Sequence, residues 1–156
     1  MIKETTSAFW DWAVEVYSVD AVKSRLLAWQ YDYDVVILEL LYVLWLAHQG
    51  RVIGESDLLA LHRRIRPWID NVVLPLRQLR QQWTGDSGLG DHRSRLLMLE
   101  LEAERQLAGL LQNPPMPDGS DAMVALTAAA QLDLWCAVLH IAIPEDEKQA
   151  LLSELP

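Results

Sequence analysis

Three side chains near the C-terminus, Asp133, Cys136 and His140, are spaced to share one face of a helix at i, i+3 and i+7. A Cys and a His four residues apart can both touch one metal ion, or the imidazole can take the proton from the thiol. A structural zinc needs four ligands, however, and the chain has no second cysteine; His48, His62 and His92 stand singly. The simpler reading is a buried small thiol and a histidine at the favourable end of a helix, with no metal or other cofactor. Glu100, Glu102 and Glu104 form an acidic run, but Glu102 points away from the face shared by the other two, and no Glu-x-x-His exists to complete a di-metal site. A solvated acidic face is expected there. Gly85, Gly88 and Gly90 precede a helix but follow no strand, which removes them as a phosphate loop. No catalytic residue is assigned.

The arginines carry more. Five of the ten lie between positions 63 and 80, and the segment from His62 to Trp83 has a net charge of +4 in a chain of net charge -9. On an uninterrupted helix Arg63, Arg66, Asp70, Val73, Arg77 and Arg80 make one stripe at spacing three or four. Guanidinium forks grip carboxylates and phosphates in two-point geometry. The stripe therefore reads either as a dock for an acidic protein, a nucleotide or a nucleic-acid backbone, or as internal partners for Glu39, Glu100 or Glu104, with the arginine stems covering the core. Among seven tryptophans, Trp12, Trp29, Trp45 and Trp83 fit apolar faces, whereas Trp10 and Trp68 lie off the buried stripes and suit a contact surface. The expected partner-binding set is thus Arg63, Arg66, Arg77, Arg80, Trp10 and Trp68.

Only helices have the period to position these groups. Phe9, Trp12, Ala13, Val16 and Tyr17 make the apolar face of a first helix, with Ser7 as its cap. Ser18 is expected to cap a second helix with Val22, Leu26, Trp29 and Tyr33 inward, and Asp34 a third, Val35 to His48, which is apolar nearly all round and so central. Gly50 can take the left-handed turn that closes it. Ser56 opens a fourth helix, and Pro67 marks the start of a fifth running to about Trp83. In the fifth, Ile65, Ile69, Val72, Leu76, Leu79 and Trp83 repeat as a heptad-like seam, and Pro75 predicts a bend. A loop at 84–90 precedes a sixth helix, Asp91 to Gln112, with Leu96, Leu99, Ala103, Leu107 and Leu110 on one face. A Pro-rich link at 113–119 leads to a seventh capped by Ser120 and ending before Pro144, then a short eighth to Leu155. No β-type alternation and no internal repeat is found. One all-α domain spanning 1–156, an irregular or orthogonal bundle of six to eight helices, is the expected fold.

Composition sets the surroundings. Half the residues are hydrophobic and 22% charged, an ordinary globular balance. The acidity disfavours nucleic acid as a partner. A single cysteine allows no intramolecular disulfide and fits a reducing compartment, and the N-terminal residues lack the pattern of a secretory signal, so a cytoplasmic location is expected. Val35 to Ala47 is too short to span a membrane, and Gln131, Asp133 and His140 interrupt Ala122 to Ile143, so no membrane insertion is expected.

Several motifs resemble a small proteobacterial family of conserved hypothetical proteins: Phe9-Trp10-Asp11-Trp12-Ala13 followed by Tyr17; Leu44-Trp45-Leu46-Ala47 with Gly50-Arg51; Trp68 with Pro75-Leu76-Arg77-Gln78-Leu79-Arg80; and Leu101-Glu102-Ala103-Glu104-Arg105. They span residues 9 to 108. The resemblance implies a bacterial cytoplasmic helical protein and brings no catalytic residue with it. That family often shows an Asn near the start of its buried third helix, where this chain reads Val35-Val36-Ile37-Leu38. The functional expectation is a non-enzymatic binding or adaptor protein with a regulatory role, ahead of a small-molecule-binding protein or enzyme with an aromatic-lined pocket, and of nucleic-acid binding through the arginine stripe. The heptad-like seam and the apolar Ala122 to Ile143 stretch add the expectation of a symmetric homodimer.

Overall fold

Ser7 opens the first helix as its sequence requires: its Oγ accepts the Trp10 backbone N–H at 3.0 Å. The computed structural model describes residues 7–113 and 127–156. Among these the regular elements are all helical. They are α1 Ala8–Tyr17, α2 Asp20–Tyr33, α3 Ile37–His48, α4 Glu55–Trp68, α5 Leu74–Gln82, α6 Gly90–Gln112, α7 Ala128–Val138 and α8 Glu145–Glu154. A π-turn, Ile69–Val73, joins α4 to α5, and a 3-10 turn, Ser87–Leu89, precedes α6. No helix among the described residues is long and apolar enough to cross a membrane. The described residues fall into two compact units, one made of those up to Ala60 with 127–156, the other of 61–113.

The first unit is built around α3. Leu38, Glu39, Leu40, Leu41, Tyr42, Val43, Leu44, Leu46 and Ala47 are all buried. Helices α1 and α7 pack on it, and α2 packs on α1, α3 and α8. Phe9 drives its ring edge-on into Tyr42 at 5.1 Å between centroids and lies 5.6 Å from Trp45. Val22, Leu26 and Trp29 supply the inner stripe of α2. Fully burying each large side chain contributes about 1.5–3 kcal/mol.

Two expected caps are reassigned. Ser18 closes α1, its N–H reaching the Val14 and Glu15 carbonyls, and Val19 stands at the N-cap of α2. Asp34 ends α2 in the left-handed conformation, φ 58°, which a short polar side chain tolerates, and extended Val36 precedes α3. Ser120 lies outside the described residues; α7 is capped by Thr127, whose Oγ1 accepts from Ala130 N–H at 3.1 Å. That helix stops at Val138, earlier than expected, because His140 turns left-handed at φ 56°.

The ends of α3 and α7 are alike. At one, Gly50 has φ 72° and Arg51 N–H bonds to Leu46 carbonyl at 2.8 Å; at the other, Ile141 N–H bonds to Cys136 carbonyl at 2.8 Å. Residues 44–55 and 134–145 share Leu-Trp-x-Ala, a buried isoleucine (Ile53, Ile143) and a glutamate that starts the next helix (Glu55, Glu145). This is a local internal correspondence where sequence periodicity showed none.

The second unit is a helical hairpin. Pro67 does not separate two helices; α4 runs through it to Trp68. The interruption comes after it, where Leu74 N–H bonds to the Ile69 carbonyl five residues back. In an α-helix the Pro75 ring would press on the Asn71 carbonyl, and the wider turn sits where that conflict arises. The turn advances the inward face by one residue. Leu61, Ile65, Ile69 and then Val73, not Val72, are buried, and beyond the turn Arg77 and Arg80 take the inward places that an unbroken seam gives to Leu76 and Leu79. From α6 the hairpin receives Leu96, Ala103, Leu107, Ala108 and Leu111.

Candidate functional site

The shift at the π-turn decides where the arginines go. Arg80 Nε donates to both Glu100 carboxylate oxygens, at 2.6 and 3.0 Å, and Arg77 reaches Glu104 Oε1 at 3.4 Å. Burial raises the Glu104 carboxyl above its ordinary range; the Arg77 charge opposes this and the Glu100 charge adds to it. Arg66 pairs with Asp70 along the helix at 2.8 Å. Arg64 donates through Nε and a terminal nitrogen to the Leu110 and Leu111 carbonyls, at 3.1 and 3.0 Å, satisfying the end of α6. Arg63 is exposed. The expected continuous stripe is thus divided at Val73: its upstream part stays on α4 and the π-turn, and its downstream part grips α6. Trp68 is half-buried and donates its indole N–H to Ala103 carbonyl at 2.9 Å. Trp10 is half-buried on α1 in the other unit. Internal pairing to Glu100 and Glu104, the second of the two readings of the stripe, is the geometry observed for Arg77 and Arg80.

Drawing Glu100 and Glu104 inward has a consequence for the rest of α6. Leu99 and Leu110 were expected on the inner face, and Glu100 and Glu104 in solvent. Instead the Glu100 side chain is only 12% exposed, whereas Leu97, Met98, Leu99 and Leu101 are exposed by 44, 66, 50 and 55%. Helix geometry accounts for this: a face holding Leu96, Glu100, Ala103, Glu104 and Leu107 puts Met98 diametrically outward, with Leu97 and Leu101 on one flank and Leu99 on the other. Alternating runs of Leu and Glu read equally well in either rotation, and only the arginines across the hairpin choose between them.

The residues considered for metal or thiol chemistry are placed elsewhere. Asp133 receives Lys148 Nζ at 2.6 Å, Cys136 is buried, and His140 is exposed beyond the end of α7. Burial pushes the Cys136 thiol up, so the nucleophilic thiolate is disfavoured. Among the described residues no three His, Cys, Asp or Glu side chains gather as a metal would need. Two polar contacts deep in the first unit were missed by sequence reasoning. Glu39, fully buried in the first turn of α3, accepts the Trp135 indole N–H at 3.1 Å. Gln131, also buried, accepts Ile53 N–H at 3.2 Å. A carboxylate in an otherwise apolar helix was the available signal, but its partner lay 96 residues away.

A family model described as Protein of unknown function (DUF2390) matches residues 8–111. The chain belongs to this family. No curated protein and no solved structure matches it. The DUF2390 match runs from the start of α1 to Leu111 in α6, so it holds the π-turn, the Arg–Glu pairs and the outward face of α6. It stops before α7, whose Trp135 and Gln131 satisfy Glu39 and Ile53 within the matched segment.

Proposed function

We propose that this DUF2390 protein is a non-enzymatic binding or adaptor protein of the bacterial cytoplasm that docks a partner on the outward face of α6. One observation carries the reading: four large apolar side chains, Leu97, Met98, Leu99 and Leu101, stand in solvent within five residues while Glu100 among them is turned inward. Apolar side chains exposed singly are ordinary, but a cluster of this kind is characteristic of association surfaces. Arg77 and Arg80 contribute by holding α6 in this rotation, not as the contact itself; exposed Arg63 and half-buried Arg66 and Trp68 lie on the same hairpin.

The test is a Met98→Glu, Leu101→Glu variant of the full chain. Its helicity and melting temperature should match wild type, because both side chains face solvent. Its association with whatever the wild-type chain binds, a second copy or a foreign protein, should be lost in pull-down and light-scattering measurements. A folded variant that keeps every wild-type association overturns the assignment.

A further inference from the structure

We infer that the partner seated on this face is a second copy of the chain, with the two α6 helices antiparallel about a two-fold axis near Met98; this rests on the docking role proposed for α6. The charges flanking the apolar cluster carry it. Arg95 and Glu102 are both exposed, lie seven residues apart and so share the outward stripe with Met98 between them. When two such helices run antiparallel about an axis between Met98 and Leu99, Arg95 of each copy faces Glu102 of the other, Met98 lies within one residue of its own counterpart, and Leu97 and Leu101 of the two copies meet within one residue of register. One patch satisfies itself twice, as a two-fold interface requires. A parallel pair would set Arg95 on Arg95 and Glu102 on Glu102, and like charges across an interface repel. A foreign partner has no reason to need opposite charges placed symmetrically about the apolar centre; a second copy does.

Sedimentation equilibrium of the full chain, across low to high micromolar concentration, tests this. Wild type should dimerise. Met98→Glu should be monomeric with unchanged helicity and melting temperature. Arg95→Glu alone and Glu102→Arg alone should each weaken dimerisation by about tenfold or more, since each sets like charges face to face in the antiparallel pair. The double variant Arg95→Glu, Glu102→Arg should return close to wild type, and an equimolar mixture of the two single variants should associate better than either alone. A wild-type monomer throughout the range overturns the inference. So does a dimer indifferent to Met98→Glu, or one indifferent to both single charge reversals. The docking reading fails separately. If wild type is monomeric but Met98→Glu releases a bound foreign protein, docking on α6 stands and the second copy does not. If wild type is monomeric and Met98→Glu lowers the melting temperature, the face is covered by the chain's own residues and both readings fall.

Discussion

Glu39 is a carboxylate with no exposure, placed in a helix that is otherwise a column of leucine, valine and aromatic side chains. Its position in the first turn of α3 puts it at the positive end of the helix dipole, and Trp135 supplies an indole N–H. Trp135→Phe removes this donor and should cost about 1–3 kcal/mol, the range for taking a partner from a buried polar group, measured by urea unfolding. Glu39→Gln, which keeps an accepting oxygen, should cost less. A second residue-scale prediction concerns acid. Arg25 donates two bonds to Glu154, at 3.0 and 2.9 Å, and these hold the Glu154 carboxyl below its ordinary value near 4.5. A depressed carboxyl stabilises the fold above its unfolded value, and that contribution is lost as pH falls through the folded value. The stability gap between wild type and Glu154→Gln should therefore be open at neutral pH and close as the medium turns more acidic than the ordinary carboxylate range, in urea unfolding repeated across pH. Glu104 acts with the opposite sign: burial raises it, so its ionisation works against folding and its contribution improves as pH falls through its folded value.

At the scale of elements, the hairpin rests on which arginines face inward. Arg80→Glu sets two carboxylates against each other and should cost about 1.5–3 kcal/mol, whereas Arg63→Glu, on an exposed position, should stay within about 0.5 kcal/mol, both measured by chemical denaturation. Some of this architecture was legible. The helical period, the Ser7 cap, the central place of the third helix, the left-handed Gly50 and the loop before α6 all follow from local chemistry. The misplaced features share a physical cause: the local signal allowed two outcomes. Pro67 is compatible with a helix start or with passage through a helix. Asp34 suits an N-cap or a left-handed C-cap. The Leu–Glu run of α6 suits either rotation until Arg77 and Arg80 are known to face it. The π-turn has no period of its own, so a seam counted in α-helical steps assigns Val72 to the core where Val73 belongs.

At the scale of the whole molecule, the family match and the folded unit do not coincide. Residues 8–111 contain α3, but the described partners of its buried face include α7. Leu132, Trp135, Cys136, Ile143 and Leu151 are all buried, and at about 1.5–3 kcal/mol for each large apolar side chain they contribute on the order of a whole domain's net stability. A chain truncated after Gln112 should therefore lose cooperative unfolding in a thermal melt followed by circular dichroism, although it retains the entire matched segment. A truncated chain that melts as sharply as full length would show that α7 and α8 are accessory.

The π-turn between α4 and α5 can also be regarded as a difference in chain length. It accommodates one residue more than an α-helix of the same path would hold. Deleting Asn71 together with Pro75→Ala should leave an uninterrupted helix in which the residues now called Arg77 and Arg80 still meet Glu104 and Glu100, so the melting temperature should stay near that of wild type. Deleting one residue from within α5 instead, between Arg77 and Arg80, should separate the two pairs by about 100° of helix rotation and destabilise the hairpin. Deletions in this segment are thus unequal: one at the wide turn conserves the phase of everything downstream, and one a few residues later scrambles it.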